Sequence, residues 1–232
     1  MMATAYNAAP NVCASVGVFL SIDRGATWTN VLRGVARAIA SDPNDQNRFH
    51  ATVDYAALCG GGPLENGVFT SSDSGATWNP TTGQQVADST IQEGQLNNAK
   101  LTVSADRSRV WSALLKDGVA NDISYSDDQG ATWNHVDTVE TLEANGEIEG
   151  LNPREKPGSQ GSIHFALLAS PTNRDEVYVG GDCQDGPFPN FIGAENYSGR
   201  LFRGNAAIPS GGGSTNPFIP SPQWEHMTDN LN

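Results

Sequence analysis

The chain has 232 residues and a formal net charge of −13, because 26 acidic residues face only 13 basic ones. Without an excess or a cluster of Lys and Arg, nucleic-acid binding is not expected, and the lack of an 18-residue apolar run predicts no membrane span. The 25 Gly and 13 Pro residues, with no sustained helical apolar period, predict an all-β fold.

The first predicted elements surround an eight-residue phrase, Ser-x-Asp-x-Gly-Ala-Thr-Trp, that occurs three times. It occupies residues 21–28, 71–78 and 126–133, and each copy follows a short strand-like run. The steps between its Asp residues, from 23 to 73 and from 73 to 128, are 50 and 55 residues. A period of this size is typical of units stacked in a propeller or a solenoid.

The segments between the copies predict the rest of each unit. A strand, a polar turn and a second strand are predicted within 37–53, within 100–114 and within 163–179. With the two strands that flank each phrase, the unit has four antiparallel strands, which is the build of a propeller blade.

Both ends of the chain depart from this pattern. The first repeat is predicted to begin just before its third strand, and in the last repeat residues 199–203 and 223–227 flank an insertion without the phrase. We therefore expect one partial β-propeller over 1–232 with about three and a half blades, either part of a longer propeller or a ring closed by another chain. The blades are 1–33 (partial), 34–82, 97–138 and 162–228, with insertion loops 139–161, 182–198 and 204–222.

Each residue of the phrase has a predicted mechanical role. Gly suits a positive φ in the turn, the Asp carboxylate can accept turn amides, Trp can fill the space between blades, and Ser and Thr can tie the strands together. Equivalent positions of successive blades point away from one another, which argues against a catalytic or metal-binding set of Asp residues. The structural residues are Ser21, Asp23, Gly25, Thr27, Trp28, Ser71, Asp73, Gly75, Thr77, Trp78, Ser126, Asp128, Gly130, Thr132 and Trp133.

The phrase resembles the Asp-box, or BNR repeat, of sialidases, sortilin-type receptors, xyloglucanase-type glycoside hydrolases and other secreted bacterial propellers. The resemblance implies a β-propeller in which the box joins the third and fourth strands, away from the active centre. It also implies an extracellular or cell-surface location, although residues 1–15 show no signal peptide.

A sialidase activity would require three arginines and a Tyr/Glu pair according to this resemblance. The Arg-Ile-Pro phrase that accompanies them in the family is missing. The available stand-ins are Arg37, Arg154 and Arg200, with Glu195 and Tyr197 close together in sequence.

A xyloglucanase-like hydrolase would instead require two converging carboxylates. Candidates are Glu147 and Glu149 in an acidic connector, and Asp182 and Asp185 after a predicted strand. The alternative for the connector is a solvated loop without a catalytic role. The segment from Gly180 to Tyr197 is long, rich in aromatic residues and unmatched in the other blades, so it is either a binding loop or a packing insertion.

The sequence therefore predicts a non-enzymatic propeller scaffold or binding segment whose partners are a carbohydrate or protein ligand and the rest of a parent propeller. The alternative is part of a glycoside hydrolase. No cofactor is predicted, and the acidic excess leaves only weak calcium binding open. The three cysteines, Cys13, Cys59 and Cys183, are predicted to be small buried thiols, with a Cys13–Cys59 bridge as the alternative.

Overall fold

The computed structural model confirms the predicted all-β fold. It describes residues 1–5, 15–42, 45–54, 67–81, 96–104, 106, 109–116, 118–142, 148–150, 161–183, 187–189, 195–211 and 221–228. In these residues the chain forms four antiparallel sheets, a separate two-stranded hairpin and one short helix.

The first sheet has three strands, β1 (Met2–Ala5), β2 (Gly17–Leu20) and β3 (Thr29–Arg33), in the order β1-β2-β3. The prediction that this repeat begins just before its third strand is wrong, because β1 occupies the place of the second strand. Its four small or flexible residues carry no alternating apolar pattern, yet each pairs with a residue of β2, from Met2 with Leu20 to Ala5 with Gly17.

The second and third sheets have four strands each, in chain order. The second contains β4 (Val35–Ser41), β5 (Phe49–Asp54), β6 (Gly67–Ser71) and β7 (Asn79–Pro80). The third contains β8 (Leu96–Val103), β9 (Val110–Lys116), β10 (Val119–Ser126) and β11 (Asn134–His135).

The third sheet is followed by the hairpin of β12 (Glu140–Leu142) and β13 (Ile148–Gly150) and by the helix α1 (Gly161–His164). The fourth sheet then contains β14 (Ala166–Ala169), β15 (Glu176–Cys183), β16 (Gly199–Asn205) and β17 (Trp224–His226). No helix in the described part of the chain is long and apolar enough to cross a membrane.

Successive sheets pack against one another. The first strands of neighbouring sheets contact each other, β4 with β8 and β8 with β14, while β1 contacts β4. Apolar side chains fill the three junctions: Val18, Leu32, Ala51 and Phe69 in the first, Val68, Val110 and Trp133 in the second, and Trp111, Ile123, Val177 and Phe202 in the third. Each junction thus buries one face of each of its two sheets.

Several predicted boundaries need correction. The predicted loop 139–161 contains the hairpin β12–β13, whose short polar strands have no apolar alternation to reveal them. The predicted strand 163–168 begins as α1 and becomes β14 only at Ala166. The predicted loops 182–198 and 204–222 begin too early, because β15 continues to Cys183 and β16 continues to Asn205 through backbone pairing with each other.

Candidate functional site

The sheets have two distinct edges on which side chains can be placed. At one edge lie the three turns formed by residues 21–28, 71–78 and 126–133, which we call the repeat turns. At the other edge the second strands end, at Asp54, Lys116 and Cys183, and we call it the loop edge. A polar side chain at either edge is a candidate for catalysis or binding only if hydrogen bonds within the fold do not already occupy it.

The repeat turn 71–78 uses nearly all of its polar groups internally. The Asp73 carboxylate accepts the Ser71 hydroxyl at 2.8 Å, the Thr77 amide at 2.8 Å and the Thr77 hydroxyl at 2.6 Å. The Gly75 amide donates to Ser71 Oγ at 2.9 Å, and Trp78 Nε1 donates to the Gly75 carbonyl at 3.1 Å. The carboxylate therefore acts as an acceptor for its own turn.

The other two repeat turns make the same bonds. They join Ser21, Asp23, Gly25, Thr27 and Trp28 in the first copy, and Ser126, Asp128, Gly130, Thr132 and Trp133 in the third. The turn glycines have φ values of 91°, 85° and 94°, which a residue with a Cβ rarely adopts.

These bonds favour the ionised form of the turn carboxylates. Hydrogen bonds from Thr77 and Ser71 hold the pKa of Asp73 at about 2, and the Thr27 and Ser21 bonds do the same for Asp23. Partial burial opposes this effect at Asp128, but its pKa is still lowered by the bonds from Thr132 and Ser126. A carboxyl group held ionised in this way cannot serve as a general acid near neutral pH.

A buried arginine joins the third and fourth sheets. Arg109 Nε and one terminal nitrogen bind the two oxygens of Asp127 at 2.7 and 2.9 Å, and the other terminal nitrogen binds Asp175 at 2.8 Å. Its guanidinium lies 3.8 Å from the centre of the Tyr125 ring. Burial opposes the charge, but the carboxylates of Asp127 and Asp175 raise the pKa of Arg109 overall.

We expect Arg109→Lys to lower the free energy of unfolding by about 2 kcal/mol, because a lysine cannot make the two-pronged bond to Asp127 or stack on Tyr125. Urea unfolding will measure the loss. Arg174→Lys is the matched control, since Arg174 binds the same carboxylate from a more exposed position and should cost less than about 1 kcal/mol. Equal losses from both variants would contradict a special role for Arg109.

A buried carboxylate, Asp137, fixes the loop between β16 and β17. One of its oxygens accepts the Ser210 hydroxyl, and the other accepts the Ser221 hydroxyl and the Gly211 amide. Its own amide donates to Gln223 Oε1 at 2.7 Å. This loop has no copy of the repeated phrase. The Asp137 carboxylate, which follows the last strand of the preceding sheet, accepts two hydroxyls and an amide of the loop.

Another buried carboxylate, Asp122, binds His135 and Ser124 across β10 and β11. The distances are 2.6 Å to His135 Nδ1 and 2.6 Å to Ser124 Oγ. Both side chains contact the same carboxylate, and this group ties β10 to β11. Sequence reasoning missed Arg109, this group and the bonds that Asp137 makes, because these contacts follow no repeated spacing.

A group of aromatic and polar residues lies beyond the loop edge of the fourth sheet. The rings of Phe188 and Tyr197 meet edge to face with centroids 5.0 Å apart. Tyr197 is 70% exposed, and Glu195 is also exposed two residues away. The segment therefore presents an exposed aromatic ring two residues along the chain from an exposed carboxylate.

The remaining predicted site residues are only partly placed. Asp182 lies opposite Arg200 on β15 and β16, with the Arg200 side chain buried, and Glu149 lies opposite Thr141 in the hairpin β12–β13. Residues 147, 154 and 185 lie outside the described residues, as do 13 and 59. Cys183 is exposed at the end of β15, so the prediction of a buried thiol is wrong at this position.

No metal site emerges from the described ranges, where no three His, Cys, Asp or Glu side chains are grouped to hold an ion. Arg37, the remaining arginine of the three proposed for a sialidase site, lies on β4 at a register shift between Ala36 and Ala38. Calcium binding stays a prediction.

Comparison with known proteins rests on structure, since no protein-family model and no curated protein sequence matches the chain. A GH74 enzyme from Niastella koreensis is similar with a TM-score of 0.50 and 14% identity, covering 91% of this chain and 26% of the enzyme. The fold is a β-propeller. The chain's four sheets are thus blades, and the predicted likeness to propeller enzymes is confirmed for the fold.

Two further solved structures are similar over an equal share of this chain. The GH74 xyloglucanase from Xanthomonas campestris has 14% identity and a TM-score of 0.49, with coverage of 91% and 27%. The intramolecular trans-sialidase from Ruminococcus gnavus has 16% identity and a TM-score of 0.39, with coverage of 91% and 40%. The chain spans about a quarter of the length of the two GH74 structures.

Proposed function

We propose that the chain is a non-catalytic, Asp-box-type propeller segment of a secreted or cell-surface protein, and that it binds a carbohydrate or protein ligand at the segment containing Phe188 and Tyr197. Its two terminal blades would contact further blades, of the same parent chain or of another chain. The repeated phrase builds the scaffold, and the unmatched loop provides the ligand surface.

The observation that carries this proposal is the aromatic pair of half-buried Phe188 and exposed Tyr197, two residues along the chain from the exposed Glu195. An edge-to-face pair of rings is a rigid apolar surface with a polar hydroxyl at its rim, which suits ligands that have both apolar and polar faces. A sugar ring is such a ligand: its C–H groups can pack on Tyr197, and its hydroxyl groups can donate to the exposed Glu195 carboxylate.

The use of the other carboxylates supports a non-catalytic role. The repeat-turn Asp residues are ionised acceptors of their own turns, with a pKa of about 2 at Asp23 and Asp73. Asp127 and Asp175 are bound to Arg109, and Asp137 holds the last loop. None of these groups is available as the acid or base of a hydrolysis reaction.

A second candidate is part of a glycoside hydrolase, and the fold likeness to the Niastella koreensis GH74 enzyme favours it. Such a function would require two carboxylates about 5–5.5 Å or 6.5–9.5 Å apart. Glu149, Asp182 and Glu195 are the candidates whose backbones the structure describes.

The test measures binding and turnover in the same samples. Purified chain is titrated calorimetrically with β-glucan oligosaccharides and with sialyllactose, and release of reducing sugar or free sialic acid is followed. We expect saturable binding without turnover. Clear turnover of either substrate would overturn the non-catalytic proposal. Absence of binding to both would overturn the proposal that the ligand is a carbohydrate.

Variants at Tyr197 locate the binding surface. Tyr197→Ala should weaken binding by about tenfold through loss of the ring, while Tyr197→Phe should retain most of the affinity. Tyr125→Phe is a control at an internal ring that contacts Arg109, far from the loop segment in sequence. Unchanged affinity in Tyr197→Ala would place the ligand elsewhere and contradict the proposed surface.

A further inference from the structure

The exposed large apolar side chains concentrate at the two ends of the blade series. Among the described residues none of them lies on the second or third sheet. They belong to the first and fourth sheets and the segments beside them: Met1, Ile22 and Trp28 at one end, and Ile163, Leu168, Tyr197, Leu201 and Met227 at the other. The interior blades bury both faces, and each terminal blade buries only one.

The interior junctions share one recurring contact. The Trp that immediately precedes the fourth strand packs against the preceding sheet. Trp78 joins the cluster around Val18, and Trp133 joins the cluster around Val68. Trp133 Nε1 also lies 3.3 Å from Thr81 Oγ1 of that sheet.

The fourth sheet repeats this contact although its phrase is lost. Trp224 packs in the cluster that contains Ile123, and its Nε1 donates to the Asp137 carbonyl at 2.7 Å. All three junctions therefore place a Trp of the following blade against the third strand of the preceding blade.

Backbone bonds identify the corresponding position on the outer face of the fourth sheet. In three sheets the amide that follows the fourth strand donates to a carbonyl of the third strand. In the second and third sheets, the apolar residue with that carbonyl belongs to the cluster of the next blade's Trp. The pairs are Thr81 with Val68 at 2.9 Å, Val136 with Ile123 at 3.0 Å, and Met227 with Leu201 at 2.8 Å. Leu201 and Met227 thus occupy the place where a Trp would pack.

This place on the fourth sheet is uncovered. Leu201 is 37% exposed and Met227 is 42% exposed, whereas Val68 is fully buried. At the other end of the chain, Trp28 is 41% exposed, compared with 8% for Trp133 in the third blade. One terminal face therefore has a Trp without its apolar partners, and the other has the partners without a Trp.

We propose that the fourth sheet of one molecule docks on the first sheet of a second copy of this chain, with Trp28 of the second copy packed against Leu201 and Met227. Two copies make this unlike-face junction twice and close a single ring of eight sheets, a number within the range of known propellers. The inference assigns the contacts of both terminal blades proposed above to a second copy and does not depend on the ligand.

The junction has the same construction as three that the chain already makes internally. It covers Trp28 and the two exposed partners at the same time. A contact between like faces would instead set Trp28 against Trp28 and Leu201 against Leu201, which reproduces none of the internal junctions.

The experiment measures mass in solution by sedimentation equilibrium and light scattering over a wide concentration range. The wild-type chain should approach twice its mass of 24.5 kDa. Trp28→Glu and Leu201→Glu should each raise the dissociation constant about 100-fold or more, because each buries a charge at both junctions. Ile22→Glu, at a 92% exposed position of the first repeat turn, is the control and should leave the mass unchanged.

Mixing the two variants tests the direction of the contact. Trp28→Glu retains an intact fourth sheet and Leu201→Glu an intact first sheet, so an equimolar mixture should form dimers through one unmodified junction while neither variant does so alone. Circular dichroism confirms folding, and Met227→Glu provides a second variant of the fourth-sheet face. A wild-type chain that remains at 24.5 kDa, a variant that dimerises alone, or a mixture that stays monomeric would overturn the proposal.

Discussion

Replacing Asp137 with Ala will lower the free energy of unfolding by about 3 kcal/mol. The substitution removes one acceptor group and leaves three donors, the Ser210 and Ser221 hydroxyls and the Gly211 amide, without their partner. Each hydrogen bond to a charged group is worth about 1.5–3 kcal/mol, and the partly exposed donors can recover some of this from water.

The loss should be local as well as global. The loop between β16 and β17 should lose protection from hydrogen exchange, most clearly at the Gly211 amide, before the third sheet does. Urea unfolding and hydrogen-exchange mass spectrometry measure the two effects. Ser221→Ala in the Asp137→Ala background should cost less than it does alone, because its partner is already missing.

Asp45→Ala serves as the control for removing an acidic side chain. Asp45 makes a partly exposed ion pair with Arg48 at 3.4 Å, so its loss should stay below about 1 kcal/mol. If Asp137→Ala lowered the free energy of unfolding no more than Asp45→Ala does, the Asp137 carboxylate would not hold the loop. Asp137 would then not act as the Asp of a repeat turn does.

The repeat turns show what could be predicted from the sequence. Their bonds join residues no more than four positions apart, such as Thr77 to Asp73 and Gly75 to Ser71, so the same phrase produces the same turn wherever it occurs. The repeated phrase therefore predicted the hairpins and, through their spacing, the sheets. Neither the hairpins nor the sheets required knowledge of contacts between distant parts of the chain.

Contacts between blades could not be predicted in the same way. Asp137 reaches Ser221 across 84 positions, and Arg109 reaches Asp175 across 66. Neither residue belongs to a repeated phrase, and an isolated Asp or Arg in a polar segment is usually solvated. Only the stacking of one sheet on the next shows that each of these side chains is buried against its partners.

The first strand illustrates a different limit. Residues 2–5 have no alternating apolar pattern, and their strand conformation depends on pairing with β2. Cross-strand pairing between distant segments can override a weak local preference, so short strands of small residues are missed by pattern alone. The hairpin β12–β13 was missed for the same reason.

Between pH 7 and pH 4 the chain should lose about 3 kcal/mol of stability through His50 alone. His50 is fully buried on β5, with Nδ1 3.0 Å from Thr70 Oγ1. Burial lowers the pKa of His50 from 6.5 to about 4; the Asp42 charge opposes this effect and the Arg48 charge adds to it. The folded chain therefore holds this imidazole neutral.

The sign follows from comparing the two states. Below pH 6.5 the unfolded chain takes up a proton at His50 that the folded chain refuses until about pH 4, so unfolding becomes more favourable as the pH falls. The stability provided by the neutral ring is fully present above pH 6.5 and is lost as the pH falls through 4. The repeat-turn carboxylates act in a lower window, because Asp23 and Asp73 lose their contribution between 3.8 and about 2.

Urea unfolding at a series of pH values separates these windows. His50→Gln replaces the ring with a side chain that does not titrate, so its stability should depend much less on pH between 6.5 and 4 than that of the wild-type chain. His164→Gln, at an exposed position of α1, should retain the wild-type dependence. If His50→Gln kept the full wild-type slope, the acid sensitivity would arise from other groups, and the neutral buried imidazole would not be its cause.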